Sequence, residues 1–403
     1  MKNTLKTIGF LSLATLMACQ STPVEGQSTL SNSNPQTDTV IVADAIPDPE
    51  KKKKKIKLAI LLDTSSSMNG LIEQAKNQLW KIVMQLAKAK DPDGEDPEIE
   101  IALYHYGNDG LNVLDGYVQK ISGFTSELDE ISEQLFSLKT NGGSEYCGTV
   151  INTSLKELTW SDDQDDLQFI FIAGNEPFDQ GFSDYRAACG GATRNNVVVN
   201  TIYCGDFHEG ERTFWKDGAV IGQGKYMNID HDAKILHIES PYDDQISALN
   251  QRLNDTYIPY GAKGFEKKSM QIREDANAES SSKATATSRY LSKGSKVYKN
   301  KSWDLVDKAE SDNFKIEDVE EEMLPTEMKT MTKEERLTYV STKTIERKEL
   351  KKEMSELSLK RESFVNQKRN EQAGSDSQLE DVIIEAIKEQ ATKKNYTFHS
   401  NIN

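Results

Sequence analysis

The stretch from Ile56 to Leu62 reads Ile-Lys-Leu-Ala-Ile-Leu-Leu and stops on Asp63. A run this apolar has no side fit to face water, so it predicts a strand buried on both faces of a sheet. Leu167 to Ala173 and Val197 to Tyr203 repeat the pattern. Between such runs lie segments with apolar residues at helical spacing. One extends from about Leu71 to Lys90, with Ile72, Ala75, Leu79, Ile82, Val83 and Leu86 on one side. Ser126 to Leu138 and Asp243 to Leu253 are two more. Ile99 to Tyr106, Asn112 to Gln119, Tyr226 to Ile229 and Ile235 to Ile238 predict further strands, and Pro92, Gly94 and Pro97 mark Asp91 to Glu98 as loop. Alternating strands and helices predict an α/β fold: a doubly wound, Rossmann-like, mostly parallel sheet occupying residues 56–260.

Residues 261–403 have a different character, highly charged and low in aromatics. They predict a helical C-terminal extension, with helices near Met270 to Leu291, Lys333 to Gln372 and Gln378 to Thr392. Leu350, Met354, Leu357, Arg361 and Phe364 fall at heptad-like intervals. That spacing suits a helix packed on the domain as well as a coiled coil with a partner. Gly374 and Ser375 set off the last helix, whose apolar stripe is Ile383, Ala386 and Ile387.

At the other end, Lys2 and Lys6 precede an apolar stretch from Ile8 to Met17, too short to span a bilayer. It ends Leu16-Met17-Ala18-Cys19, which resembles the lipobox of bacterial lipoproteins. The resemblance implies a signal peptide over residues 1–18, lipidation of Cys19, and a lipid-anchored place in the bacterial cell envelope. Gln20, where aspartate favours retention in the inner membrane of enteric bacteria, points to the outer membrane. Residues 19–55 read as a flexible tether rich in Ser, Thr, Asn, Gln and Pro. The run Lys51 to Lys55 reads as a solvated edge, or as an attraction to anionic head groups worth about 1 kcal/mol per lysine. The net charge of −16 argues against a nucleic-acid partner. Cys147, Cys189 and Cys204 remain, and an oxidising compartment predicts one disulfide and one free thiol. Cys147 with Cys204 is the favoured pair, both expected at one edge of the sheet, and Cys189 with Cys204 the next.

The motif that carries chemistry is Asp63-Thr64-Ser65-Ser66-Ser67. It places a carboxylate and two alternating hydroxyls in the turn after a buried strand, at the carboxyl edge where ligands of such sheets bind. These oxygens suit a hard divalent ion, Mg²⁺ foremost, with Mn²⁺ or Ca²⁺ as alternatives. Serines that merely cap a helix are the plainer account.

Asp63, Ser65 and Ser67 match the Asp-x-Ser-x-Ser signature that opens the metal ion-dependent adhesion site (MIDAS) of von Willebrand factor A (vWA) domains. Asn141-Gly142-Gly143-Ser144-Glu145 is similar to that family's Gly-Gly-Thr loop, Ser144 standing for the metal-binding threonine. After the strand at Phe169, Gly174 falls where the family has a supporting aspartate. Asn175 and Glu176 are the candidates to compensate. The resemblance implies metal ligands Asp63, Ser65, Ser67 and Ser144, and a protein partner that offers a Glu or Asp carboxylate to the ion.

The expected function is thus a metal-dependent protein-binding module of a membrane-anchored lipoprotein, not an enzyme. One alternative is an assembly lipoprotein acting through its C-terminal helices without metal. Another is a hydrolase using the metal edge or Cys204, with His208 as the base of a nucleophile–base pair. A zinc site of Cys189, Cys204 and His208 is a separate alternative for these side chains. Trp80 reads as core, Trp215 as packing a loop, His237 as a structural histidine, and Asp162, Asp163, Asp165 and Asp166 as a solvated loop.

Overall fold

The computed structural model describes residues 53–229, 238–311, 314–371 and 379–398. The signal peptide, Cys19, nearly all of the expected tether, the Ile235–Ile238 strand up to Ile238, His237, Gly374 and Ser375 lie outside the described residues. The elements run β1 (Lys55–Asp63), α1 (Asn69–Leu86), β2 (Ala89–Lys90), β3 (Glu98–Tyr106), β4 (Val118–Thr125), α2 (Leu128–Ser137), α3 (Cys147–Glu157) and β5 (Leu167–Gly174). Then come α4 (Tyr185–Arg194), β6 (Val198–Cys204), α5 (Phe207–Arg212), α6 (Trp215–Ile221), β7 (Gln223–Ile229) and α7 (Asp243–Asn254). The C-terminal region holds α8 (Gly264–Ser281), α9 (Lys283–Gly294), α10 (Leu305–Ala309), α11 (Thr326–Lys329), α12 (Lys333–Glu371), α13 (Leu379–Thr392) and β8 (Thr397–Phe398).

Six strands form one sheet in the order β4-β3-β1-β5-β6-β7. Every neighbouring pair is parallel except β3 with β4. This is the expected doubly wound α/β sheet, with one antiparallel edge. Register sets the carboxyl edge: Asp63 lies opposite Tyr106, Leu62 opposite Ala173, and Gly174 opposite Tyr203.

Strand alternation sorts side chains into two cores. Ile56, Leu58 and Leu62 of β1, with Phe169, Phe171 and Ala173 of β5, face one way. Ala59 and Leu61, with Ile170 and Ile172, face the other, where Val150, Ile151, Ala188 and Ala192 of α3 and α4 cover them.

The apolar core runs across residue 260. Trp303, Leu350, Met354, Ile383, Ala386 and Ile387 belong to the same cluster as Ile56 and Leu58. α13 packs on α1 and β7, and α12 on α7 and α9. β8 pairs antiparallel with β2, Phe398 opposite Ala89. Residues 52–403 accordingly form one compact unit. Leu350 and Met354 are fully buried in that unit, so this part of the heptad-like stripe serves the domain itself.

Buried charges tie the C-terminal layer down. Arg289 of α9 donates to Asp275 of α8 at 2.7 Å and to Asp129 of α2 at 2.8 Å, and lies 4.6 Å from the Trp80 ring of α1. Arg347 of α12 donates to Asp304 and Asp307 at 2.5 and 2.6 Å, and Arg361 to Asp243 at 2.9 Å.

Three expected elements differ. Asn112 to Gln119 is not one strand: Asn112 Oδ1 caps a single helical turn at Val113–Asp115, and Gly116 turns the chain at φ +69° before β4 begins. The helix expected from Met270 to Leu291 is two, because the Ser282 hydroxyl accepts the Thr285 amide and starts α9 afresh. The first helix stops at Leu86, since Ala89 and Lys90 are taken up by the pairing with β8.

Candidate functional site

Asp63 ends β1 and is fully buried. Its Oδ1 accepts the Ser65 amide at 2.7 Å, while its Oδ2 is buried with no hydrogen-bond partner. Ser65 Oγ and Ser67 Oγ lie 3.1 Å apart. Ser65 makes no side-chain cap to the following helical turn, so the serines do not spend their hydroxyls as helix caps. The turn is held from both sides. The Thr64 amide donates to Tyr106 O at 2.8 Å, and the Ser66 amide to Gly142 O at 2.8 Å. The Asn141 amide returns a bond to Thr64 O at 3.0 Å, so the glycine loop and the Asp63 turn form one assembly.

Gly174 shows why the supporting aspartate is missing. A Cβ there would fall 2.7 Å from the Tyr106 hydroxyl and 3.2 Å from Asp63 Cβ. That hydroxyl donates to Ala173 O at 3.0 Å and fills the space. Of the two candidates to compensate, Asn175 reaches the serine turn, its amide donating to Ser67 Oγ at 3.1 Å. The Glu176 carbonyl accepts the Trp215 indole N–H at 2.7 Å, which gives Trp215 the loop-packing role expected of it.

Ser144 is half-buried, and its hydroxyl bonds to no other described residue. The neighbouring carboxylate turns into the cleft instead. Glu145 is 5% exposed, and its amide is fixed by Gln180 Oε1 at 2.6 Å. Two glycines make room for it. A Cβ on Gly107, whose φ is +73°, would lie 2.7 Å from Asp63 Oδ1 and 2.8 Å from Glu145 Cγ. A Cβ on Gly143 would lie 1.9 Å from Glu145 Oε1 and 2.9 Å from Ser65 Cβ.

Burial pushes the Asp63 carboxyl up to about 8, the charges of Glu145 and Glu176 adding to it against the pull of the Ser65 amide. Burial likewise lifts Glu145 to about 7, with Glu176 next in effect. The glycine-loop motif assigns Glu145 no role; the signal in the sequence is an acid adjoining Ser144, the position that the resemblance gives to the metal.

The cysteines correct three expectations. Cys147, Cys189 and Cys204 are all buried free thiols, and the favoured Cys147–Cys204 disulfide is not formed. The reason is that the sheet separates them: alternation along β6 turns Cys204 into the core under α1 and α13, whereas Cys147 of α3 and Cys189 of α4 lie in the opposite one. The same separation removes the zinc grouping. Burial pushes the Cys204 thiol well up, and exposed His208 bonds Glu211 Oε2 at 2.9 Å, so they form no nucleophile–base pair. Among the described residues no group of three or more His, Cys, Asp or Glu could hold a metal, so any ion here would be held by hydroxyls as much as by carboxylates.

Beside the site lies an apolar rim. Leu114 is 89% and Phe182 96% exposed. The Tyr146 ring stands 5.9 Å from Phe182 and 5.8 Å from Tyr117, edge on. These loops border a cavity of about 700 Å³ between β4 and α3.

At the opposite edge, two lysines of the run that leads into β1 are occupied. Lys54 binds Asp163 at 3.0 Å and Asp165 at 2.9 Å, and Lys55 pairs with Glu98 and Glu100. The Asp162–Asp166 loop is therefore partly an ion-pair partner rather than wholly solvated. No described helix is long and apolar enough to cross a membrane.

No family model matches the chain, and neither does any curated protein. Among solved structures it is similar to the conserved hypothetical protein BatB from Bacteroides thetaiotaomicron, at 16% identity over 43% of this chain and 90% of that one, with a TM-score of 0.33. It is similar to the SpRpn10 VWA domain at 19% identity over 43% and 87%, TM-score 0.33. It is also similar to proximal thread matrix protein 1 from the mussel byssus, in a structure with a zinc-occupied MIDAS motif, at 15% identity over 45% and 43%, TM-score 0.33. The strand order of this sheet, its antiparallel edge and the Asp63 turn at its carboxyl end describe a domain with a vWA-like, Rossmann-like fold.

Proposed function

We propose that this chain is a metal-dependent protein-binding module, of adhesion type, carried by a lipid-anchored envelope protein. The observation that carries the reading is Asp63 Oδ2. A buried carboxylate oxygen without a partner is costly, and a cation is the guest that removes the cost. The surrounding groups fit a hard divalent ion: two serine hydroxyls 3.1 Å apart, a second buried carboxylate and glycine-lined space. Mg²⁺ is the foremost candidate, then Mn²⁺ or Ca²⁺. When bound, the ion supplies a Lewis-acidic coordination position at the surface.

The chain's own residues do the rest. Asp63 and the serines hold the site at the rigid end of a buried strand, and Asn175 orients Ser67. A partner's Glu or Asp carboxylate would complete the ion's shell in exchange for water. Exposed Leu114 and Phe182 offer apolar contact to the same partner, which favours a protein over a small solute. Among the described residues His105 Nδ1 lies 3.0 Å from the Thr64 hydroxyl, but both are buried and the other ring nitrogen is taken by Gln119, so binding is the reading favoured over turnover. The described residues begin at Lys53, at the sheet edge opposite the site, with β1 spanning about 30 Å between the two edges.

Titration of Mn²⁺ and Mg²⁺ into the wild-type protein and Asp63→Ala tests this. Saturable binding in the first and none in the second is the expected result. Equal binding in both would overturn the mechanism and shift the reading to assembly through the helical layer. In cells, Cys19→Ser is expected to move the protein out of the membrane fraction.

A further inference from the structure

Glu145 occupies a place that the sequence motif does not assign. Its side chain runs through the space left by two glycines, Gly107 and Gly143, and ends beside Asp63 and Ser65. The residue is 5% exposed, and its main chain is anchored by Gln180. Alanine at Gly107 would run into Asp63 Oδ1 and Glu145 Cγ together, and alanine at Gly143 into Glu145 Oε1. Both glycines therefore clear a path for this one carboxylate. Across the cleft, Asp63 Oδ2 is buried and unpartnered. Where an aspartate would be expected after β5, Gly174 stands under the Tyr106 hydroxyl with no room for a side chain.

The geometry points to Glu145 as a cation ligand supplied by the chain itself, in place of the aspartate excluded at Gly174. This rests on the metal reading above. Two carboxylates, Asp63 and Glu145, match the charge of a divalent ion before any partner arrives, so the ion is held by the isolated protein. A site with Asp63 as its sole carboxylate would leave the ion one charge short and dependent on a partner's acid.

The test is Mn²⁺ alone, titrated into the whole protein and followed by calorimetry and by the electron paramagnetic resonance of free Mn²⁺. The variants are Asp63→Asn, Glu145→Gln and Gly143→Ala. Glu145→Gln is expected to weaken Mn²⁺ at least tenfold and to abolish the rise in melting temperature that Mn²⁺ gives the wild type. Gly143→Ala, which displaces the carboxylate without changing any charge, is expected to weaken it as well. Thermal melts without metal separate loss of the ligand from loss of the fold. Unchanged affinity in Glu145→Gln, with binding lost in Asp63→Asn, would overturn the role of Glu145 and leave the metal site standing. Absence of Mn²⁺ binding in the wild type would overturn both.

Discussion

Asp63 and Asp275 are both buried aspartates, and the protein treats them in opposite ways. Asp275 lies in the C-terminal layer with both of its oxygens taken. Its Oδ1 accepts from Arg289, and its Oδ2 from Lys293 at 2.7 Å and from Asn250 and Asn254 at 3.0 Å. Burial alone would raise its pKa, but Lys293 and Arg289 hold the carboxyl well below the ordinary range. Asp63 has one backbone donor, two acidic neighbours and an idle oxygen, and its carboxyl rises to about 8. A carboxylate that serves the fold is surrounded by its partners. The unsatisfied one at the sheet's carboxyl edge is the oxygen on which the proposed metal site depends.

The largest effect tests the satisfied member. Asp275→Ala strands Arg289 and Lys293 without their shared partner, and is expected to cost about 3–5 kcal/mol in urea denaturation. Asp63→Asn, measured without metal, is expected to cost less than about 1 kcal/mol, because Asn keeps an oxygen for the Ser65 amide and breaks no ion pair. Equal losses would erase the distinction. Gly107→Ala comes next. Its φ of +73° and the 2.7 Å approach to Asp63 Oδ1 predict a loss of about 1–3 kcal/mol, together with loss of Mn²⁺ binding. Retained binding in a folded Gly107→Ala protein would show that the cleft is looser than its glycines imply.

Proton linkage gives the same contrast a sign. The folded pKa of Asp275 is depressed, so its contribution is complete above the unfolded value near 4 and is lost as pH falls below that value. The slope from this one group is at most about 1.4 kcal/mol per pH unit. Denaturation at pH 5 and pH 3 should show the wild type losing more stability than Asp275→Asn. An equal loss in both would mean that the acid sensitivity lies elsewhere.

The sheet was legible from residues alone because β1, β5 and β6 carry apolar side chains toward both faces, a pattern with few other uses. Asp63, Ser65 and Ser67 were legible because a short motif followed such a strand. Glu145 was not, since its importance comes from Gly107 and Gly143, which sit 36 positions apart and clear the same space. The Cys147–Cys204 pairing failed for a related reason. Both residues were rightly placed near one edge, but which face a strand residue takes is a matter of parity, and Cys204 has the parity of Ile202, not of Tyr203. The C-terminal layer read as an extension because its buried residues are so often charged. Arg289, Lys293, Arg347 and Asp304 look like a solvated surface until the structure pairs them.

The smallest expected effect on stability is at Ser67. Its hydroxyl is exposed and, among the described residues, meets Ser65 Oγ at 3.1 Å and the side-chain amide of Asn175, whose nitrogen lies at 3.1 Å and oxygen at 3.3 Å. Ser67→Ala should therefore change unfolding free energy by no more than about 0.5 kcal/mol, as surface substitutions usually do. If the hydroxyl is an ion ligand, the same change weakens Mn²⁺ about tenfold, equivalent to about 1.4 kcal/mol. The two readouts separate the plainer account from the functional one. A serine that shapes the entry to α1 would lose stability and leave affinity alone; a serine that waits for a cation would do the reverse. Stability lost with affinity unchanged would place Ser67 with Asp275, among the groups that the protein spends on itself.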